Sequence, residues 1–444
     1  MYRVFALLML FAMTSFAADP TPKAFPYEYD QHDFDNGLRL ITVPTSYPNL
    51  VSLYIVVQAG SRNEVEPGRS GFAHLFEHMM FRGTKRFPPE KWEATMQKIG
   101  ADTNAYTTDD HTAYHATFSA EDLETVLDLE ADRFQNLEYQ ESVFRTEALA
   151  VLGEYNKNSA APTSKLFEVL RNTAFDRHTY KHTTMGFLED IKNMPNLYDY
   201  SLQFFDRYYR PEYTTIIVAG DVQPPQVREL VGKYWAGWKR GNYRAEIPAE
   251  SAPASPRDGK VPWATPTLPW VVVSYRGPAY SDAEKDYAAM DVIAYLGFAE
   301  SSDLYQKLVI QEQRVDTLYG MNAARIDPYL VVAGSRVKNA ADIAYIREAV
   351  LNTFSQFKDQ LVPATRLEAV KSHLRYDFAL RMDNSEAIAA SLARAVALRR
   401  TPETINRLYE VYGAITPADV RDVARKYFTE GGRTIVTLQT EQAQ

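Results

Sequence analysis

The sequence predicts an α+β protein of two homologous domains, each a mostly antiparallel sheet packed with helices. Three observations carry this. Short strand-like segments and longer helix-like segments are mixed through the first half. A Pro/Ala/Ser-rich stretch from Ile247 to Pro269 reads as an exposed linker. Beyond that stretch the plan of the first half repeats. At 444 residues the chain also exceeds one ordinary core.

The elements follow in order. His32–Val43 reads as a hairpin with Asn36-Gly37 at its turn, and Val51–Ala59 as a third strand. A helical apolar pattern through Phe72, Leu75, Phe76, Met79 and Met80 closes at Gly83. A helix around Glu90–Ile99 comes next, then strands near Thr103–Thr107 and Thr112–Ser119. Helices at Ala120–Asn136 and Glu141–Asn158 lead to a strand at Thr214–Ala219. After the linker, Trp270–Arg276 matches Val51–Ala59 in character, and a helix Asp282–Gly297 follows. Near the end, Lys426-Tyr-Phe-Thr-Glu-Gly-Gly-Arg-Thr-Ile-Val-Thr-Leu echoes Arg207-Tyr-Tyr-Arg-Pro-Glu-Tyr-Thr-Thr-Ile-Ile-Val-Ala. Both read as helix end, turn, strand, so duplication is expected. The limits are 25–240 for the first domain, 241–268 for the linker and 269–440 for the second domain.

Composition narrows the function. The net charge of −9 argues against a general nucleic-acid binder and favours neutral or basic peptides as ligands. With no Cys, disulfides and thiolate metal ligands drop out, and an oxidising compartment suits the chain. Residues 1–18 read as a secretory signal. Arg3 precedes a short apolar run, and Ser15-Phe16-Ala17 offers a small-residue cleavage site. Removal leaves no membrane anchor, so the expected location is periplasmic or secreted.

The chemistry concentrates in His74-Leu-Phe-Glu77-His78. On a helix, residues four apart share a face, so the two imidazoles converge on one metal ion. Glu77 flanks that face and reaches a metal-bound water without being a ligand. This is zinc-hydrolase logic: two His hold Zn²⁺, and a carboxylate acts as general base. The neighbours make the helix apolar nearly all round, hence buried. Buried His and Glu need partners, and a metal satisfies all three. A catalytic zinc wants a third protein ligand. Glu147 and Glu154 lie seven apart, on one face of the helix beginning at Glu141. From spacing alone they read as two solvated carboxylates on an amphipathic helix, since paired Glu on a helix are common.

The motif, with Glu154 placed 76 residues after His78, resembles the insulysin–pitrilysin family of inverted-motif zinc metallopeptidases, in its mitochondrial-processing-peptidase-like bacterial branch. Gly71-Phe72-Ala73, Met80-Phe81-Arg82-Gly83-Thr84, Gly100-Ala101-Asp102-Thr103-Asn104-Ala105-Tyr106-Thr107 and Thr112-Ala113-Tyr114 extend the resemblance. It implies two homologous α+β domains forming one half of a clamshell, with only the first binding zinc. It puts Glu154 at the third ligand position and Glu147 at an acidic position behind a ligand His. It makes Asn104-Ala105 part of an edge strand to which an extended peptide adds. Asn104 then binds a substrate backbone group or is a turn residue. Phe81 lines a side-chain pocket or belongs to the core. His111, His115, His178 and His182 read as surface or hydrogen-bonded residues.

One departure stands out. The family carries an Arg and a Tyr, seven residues apart around a Glu, that hold substrate carbonyls. Aligned on Glu312, those positions are Val309 and Asp316, while Arg314 and Tyr319 are out of register. A homologous zinc-less partner subunit supplying the pair is therefore expected, with a homodimer as the other reading. Rival functions are a non-catalytic scaffold of the same fold and a metal-binding protein without hydrolysis.

Overall fold

The segments Leu50–Val57, Thr214–Gly220 and Trp270–Arg276 are buried on both faces, and the architecture follows from the need to cover them twice. The computed structural model describes residues 23–441. The expected signal, 1–18, lies outside the described residues. In the first half the strands are β1 Asp30–Asp33, β2 Arg39–Pro44, β3 Leu50–Val57, β4 Asp102–Thr107, β5 Thr112–Ser119 and β6 Thr214–Gly220. They form one sheet in the order β1-β2-β6-β3-β5-β4. In the second half, β7 Arg257–Trp263, β8 Trp270–Arg276, β9 Val315–Asn322, β10 Leu330–Val337 and β11 Arg433–Thr440 form a sheet in the order β7-β11-β8-β10-β9.

The two sheets share one plan. β2 runs parallel to β6, and β7 runs parallel to β11. The remaining pairs of both sheets are antiparallel. So the domains are homologous in topology, and each sheet is mixed. The expected echo holds at the level of strands: β6 and β11 are the matching segments after Arg207 and Lys426. One expectation needs correcting. The stretch 241–268 is not linker throughout, because it contains β7. Its sequence, Arg-Asp-Gly-Lys-Val-Pro-Trp, has no apolar alternation, and its partner β11 lies at the far end of the chain. As an edge strand it tolerates Pro262.

Helices α1 Phe72–Met79, α2 Pro89–Lys98, α3 Leu123–Asn136 and α4 Glu141–Ser159 belong to the first domain. The first core lies between its sheet and these helices, around Leu53, Ile55, Phe72, Phe76, Phe134 and Val151. The reverse face of the same sheet presents Ile41, Val43, Tyr54, Val56, Ile217 and Ala219. The helix Ser385–Arg399 of the second domain covers it with Ile388, Leu392 and Val396. The exchange is reciprocal. Helix α5, Pro162–Ala174, leaves the first domain and lays Leu166, Leu170 and Ala174 on Val261, Val272, Val332, Val436 and Leu438 of the second sheet. Strands covered on both faces need no polar alternation, which explains the runs in β3 and β6.

A polar joint ties the domains as well. The β9–β10 loop brings Arg325 and Asp327 into the first domain. Asp109 is buried between Arg171 and Arg325. Asp327 pairs with Arg62 and lies 2.9 Å from His178 Nε2. His111, His178 and His182 are all buried and hydrogen-bonded, the second of their two expected readings. His115 is half-buried and stacks on Tyr54.

Two outcomes are expected. Leu392→Ala removes a fully buried side chain from the shared cover and should cost about 2–5 kcal/mol in urea unfolding, in a single transition. Separate transitions for the two domains would contradict a shared cover. The second concerns pH. Burial works against ionisation of Asp327, but His178 and Arg62 outweigh it and hold its carboxyl at about 2. A folded pKa below the unfolded one stabilises at neutral pH, and that contribution is lost as pH falls from about 4 toward 2. The stability gap between wild type and Asp327→Asn should therefore close over that window in acid titrations. Asp110, raised by burial, works in the opposite sense.

Candidate metal centre

Helix α1 is short, and tertiary contacts hold it. Its N-cap, Gly71, has φ +93°, and a Cβ there would lie 2.8 Å from the Met185 carbonyl oxygen. The first turn leaves backbone N–H groups without helical partners. The buried Glu64 carboxylate takes two of them, accepting from Gly71 N–H at 2.8 Å and Ala73 N–H at 2.7 Å. Phe72 meets Tyr200 edge-on at 4.7 Å, and Phe76 stacks on Phe204 at 5.2 Å. With these faces buried, the remaining face turns toward α4, whose Phe144, Ala148, Val151 and Tyr155 pack inward.

That face carries His74 and His78, and α4 brings Glu154 opposite them. His74 Nε2 and His78 Nε2 both lie 3.5 Å from the same oxygen, Glu154 Oε2. One donor atom from each of the three residues fits within a 4.8 Å cluster. A charge-assisted hydrogen bond would be about 2.7–2.9 Å. The three groups converge without closing on one another. Donors about 2.0–2.2 Å from a tetrahedral ion stand roughly 3.4 Å apart, so the spacing suits an ion between them. Two imidazoles and a carboxylate match a borderline divalent cation such as zinc.

The electrostatics agree. Burial, aided by His78, pushes the His74 pKa down to about 4, against the pull of Glu154. The imidazole is then neutral, the form that binds metal. Glu147 is buried behind His78, with Oε2 3.8 Å from His78 Nδ1 and Oε1 3.0 Å from Arg82 Nε. Glu77 is half-buried. Burial raises its pKa, and the Thr107 hydroxyl, which donates to Oε2 at 2.6 Å, pulls it back. His74 Nδ1 is buried and has no hydrogen-bond partner among the described residues.

The substrate candidates divide. Asn104 and Ala105 lie on β4, the sheet edge nearest the site. The Asn104 side chain is exposed, and its Oδ1 accepts from Ala105 N–H at 2.8 Å. Phe81 packs on Trp92 and Tyr114 with the Arg133 guanidinium 4.7 Å over its ring, contacts that match the core reading. Arg314 is engaged by Glu312 and Asp342, and Tyr319 lies against Gly334 beside Trp270. Sequence reasoning missed Glu64, Arg82 and Thr107. Arg82 was findable, one turn beyond His78. Thr107 sits three residues past Asn104, where only the fold brings it to Glu77.

Comparison with known proteins agrees with this geometry. Residues 39–187 match the model "Insulinase (Peptidase family M16)", and residues 197–374 match "Peptidase M16 inactive domain". The chain belongs to peptidase family M16. It is 27% identical to the zinc protease PqqE of Helicobacter pylori, over 91% of each chain. Its fold is similar to the crystal structure of a protease from Helicobacter pylori, at TM-score 0.86 and 25% identity, over 93% of this chain and 99% of that one. The first half of the periplasmic protease PqqL from Escherichia coli shares the fold at TM-score 0.74 and 19% identity, over 93% of this chain and 92% of that one.

Gly71→Ala should cost at least about 1–2 kcal/mol, because a side chain at this φ is strained and its Cβ meets a carbonyl. Thermal unfolding checks this; a neutral substitution would show that the α1 entry is not constrained as described.

Proposed function

We propose that the protein is a zinc-dependent endopeptidase, with His74, His78 and Glu154 as metal ligands and Glu77 as general base. The convergence of those three donor atoms, with a half-buried carboxylate alongside, carries the reading. The name of the Helicobacter pylori relative, a zinc protease, supports it. When bound, zinc supplies Lewis acidity toward water and the scissile carbonyl. His74 stays neutral, and Glu147 orients His78 through Nδ1. Glu77 takes the proton of the attacking water on a carboxylate oxygen and returns it to the leaving nitrogen. An extended peptide adds to the free edge of β4, where Asn104 exchanges its own Ala105 contact for a substrate backbone group.

The substrates are short or unfolded peptides, reached inside a chamber formed with a second subunit. That subunit is a homologous zinc-less chain supplying the Arg/Tyr pair. Support comes from Arg314 and Tyr319, which are already committed to contacts within the second domain. The location is periplasmic or secreted. The signal-like N-terminus supports this, as does the description of the Escherichia coli protein as periplasmic. Among the described residues no helix is long and apolar enough to cross a membrane.

The test combines metal analysis with peptide digestion. Glu77→Gln should keep one zinc per chain and lose cleavage by about 10²–10⁴-fold. A chelator should abolish wild-type cleavage and added zinc restore it. A Glu77→Gln chain as active as wild type, or a wild-type chain that binds no zinc, overturns the reading. The purified chain alone should cleave poorly until a partner subunit is added.

A further inference from the structure

The residue that holds Glu77 is itself held from the other domain. Thr107 closes β4, and its hydroxyl donates to Glu77 Oε2 at 2.6 Å. Being β-branched, Thr is stiff at χ1, so the backbone at the strand end sets where its hydroxyl points. That backbone runs directly into the turn 108–111. Thr108 N–H donates to His111 O at 2.8 Å, and the Thr108 hydroxyl oxygen accepts from Asp110 N–H at 3.2 Å and His111 N–H at 3.1 Å.

The turn is gripped on both sides. From the first domain, Arg62 N–H donates to Asp109 O at 2.7 Å, and the Ser61 hydroxyl donates to Asp109 Oδ1 at 2.9 Å. The approach is close enough that a Cβ on Gly60 would lie 2.4 Å from Asp109 O. From the second domain, Arg325 donates to Asp109 Oδ2 through Nε at 2.8 Å, with a second guanidinium nitrogen at 2.7 Å. Ile326 N–H donates to Asp110 Oδ2 at 3.2 Å. The two-nitrogen grip of a guanidinium on one oxygen of a buried carboxylate fixes position and orientation together.

We propose that Thr107, and through the 108–111 turn Arg325, are positioning residues for Glu77. The domain without the metal motif thus sets the aim of the base in the domain that has it. This rests on the reading of Glu77 as base given above. The hydroxyl bond to Oε2 selects one carboxylate conformer, the one in which the base meets the water. A misplacement of about 1 Å in a reacting group costs on the order of 10²-fold in rate. The effect belongs in kcat, because neither Thr107 nor Arg325 is needed to hold peptide or metal.

The experiment uses the full zinc-loaded chain, with its partner subunit if cleavage requires one, and a peptide taken from a library digest. Thr107→Val keeps shape and removes the hydroxyl. It should lower kcat about 10–100-fold with KM and zinc stoichiometry unchanged, and Thr107→Ser should recover most of the loss. Crystals of metal-free Thr107→Val should show the Glu77 carboxylate turned away from residue 107. Arg325→Met should lower kcat in the same direction, with Arg325→Lys intermediate. In the double variant Thr107→Val/Arg325→Met the losses should not multiply, since one acts through the other. Wild-type kcat in Thr107→Val, or multiplying losses in the double variant, overturns the proposal. Should Arg325→Met fail to fold, Arg325→Lys and the Thr107 pair still decide it. Glu77→Gln separates the two levels. If it cleaves like wild type, the base is misassigned and both readings fall. If it is inactive while Thr107→Val is unimpaired, only the positioning role falls.

Discussion

The contact between α1 and α4 is the constraint on which the site depends. Neither helix carries a complete ligand set. Helix α1 offers two imidazoles one turn apart, and α4 offers a carboxylate that meets both at one oxygen. The contact is held by groups with no chemistry of their own: Glu64 on the first N–H groups of α1, Gly71 at a backbone angle that suits glycine, and aromatic rings behind Phe72 and Phe76. Rigid placement of this kind separates a site that catalyses from one that merely contains the right residues.

The surroundings of each group then divide the roles. His74 is buried beside a second imidazole and stays neutral, ready to bind a cation. Glu77, only half-buried, is held at Oε2 by the Thr107 hydroxyl. Glu147 is buried behind His78, 3.8 Å from its Nδ1, and is shared with Arg82. The three carboxylates on these two helices differ in burial and partners, which is what the proposed division of roles rests on.

Much of this was legible in the sequence because it is local. The i,i+4 histidines, the intervening Glu and the apolar wrapping of α1 are periodic signals within ten residues. The strands β3, β5, β6 and β8 declare themselves by continuous β-branched and aromatic runs. Glu154 was not legible from spacing, since paired glutamates on a helix are ordinary; the family resemblance singled it out. What escaped were features defined by distant partners. β7 has no apolar rhythm and exists because β11 lies alongside. His178 was readable as surface or hydrogen-bonded, and its partner stayed hidden because Asp327 is 149 residues away. Thr107 gains its significance from Glu77, 30 residues earlier, by a fold-dependent approach. Phe81 was left between pocket and core for a related reason. Its neighbours Trp92, Tyr114 and Arg133 come from three separate elements and draw it into the core margin.

The crossed helices have a consequence for how such a protein can arise and be taken apart. α5 and the helix Ser385–Arg399 each close the back of the other domain's sheet. A chain cut between the domains would yield two pieces, each with a bare apolar wall and a stray amphipathic arm that fits its counterpart. Such pieces are built to find one another again, so fission of the gene is tolerable where loss of either piece is not. Deleting the domain that lacks the metal motif would strip the apolar cover from its sibling's sheet, whatever chemistry that domain lacks.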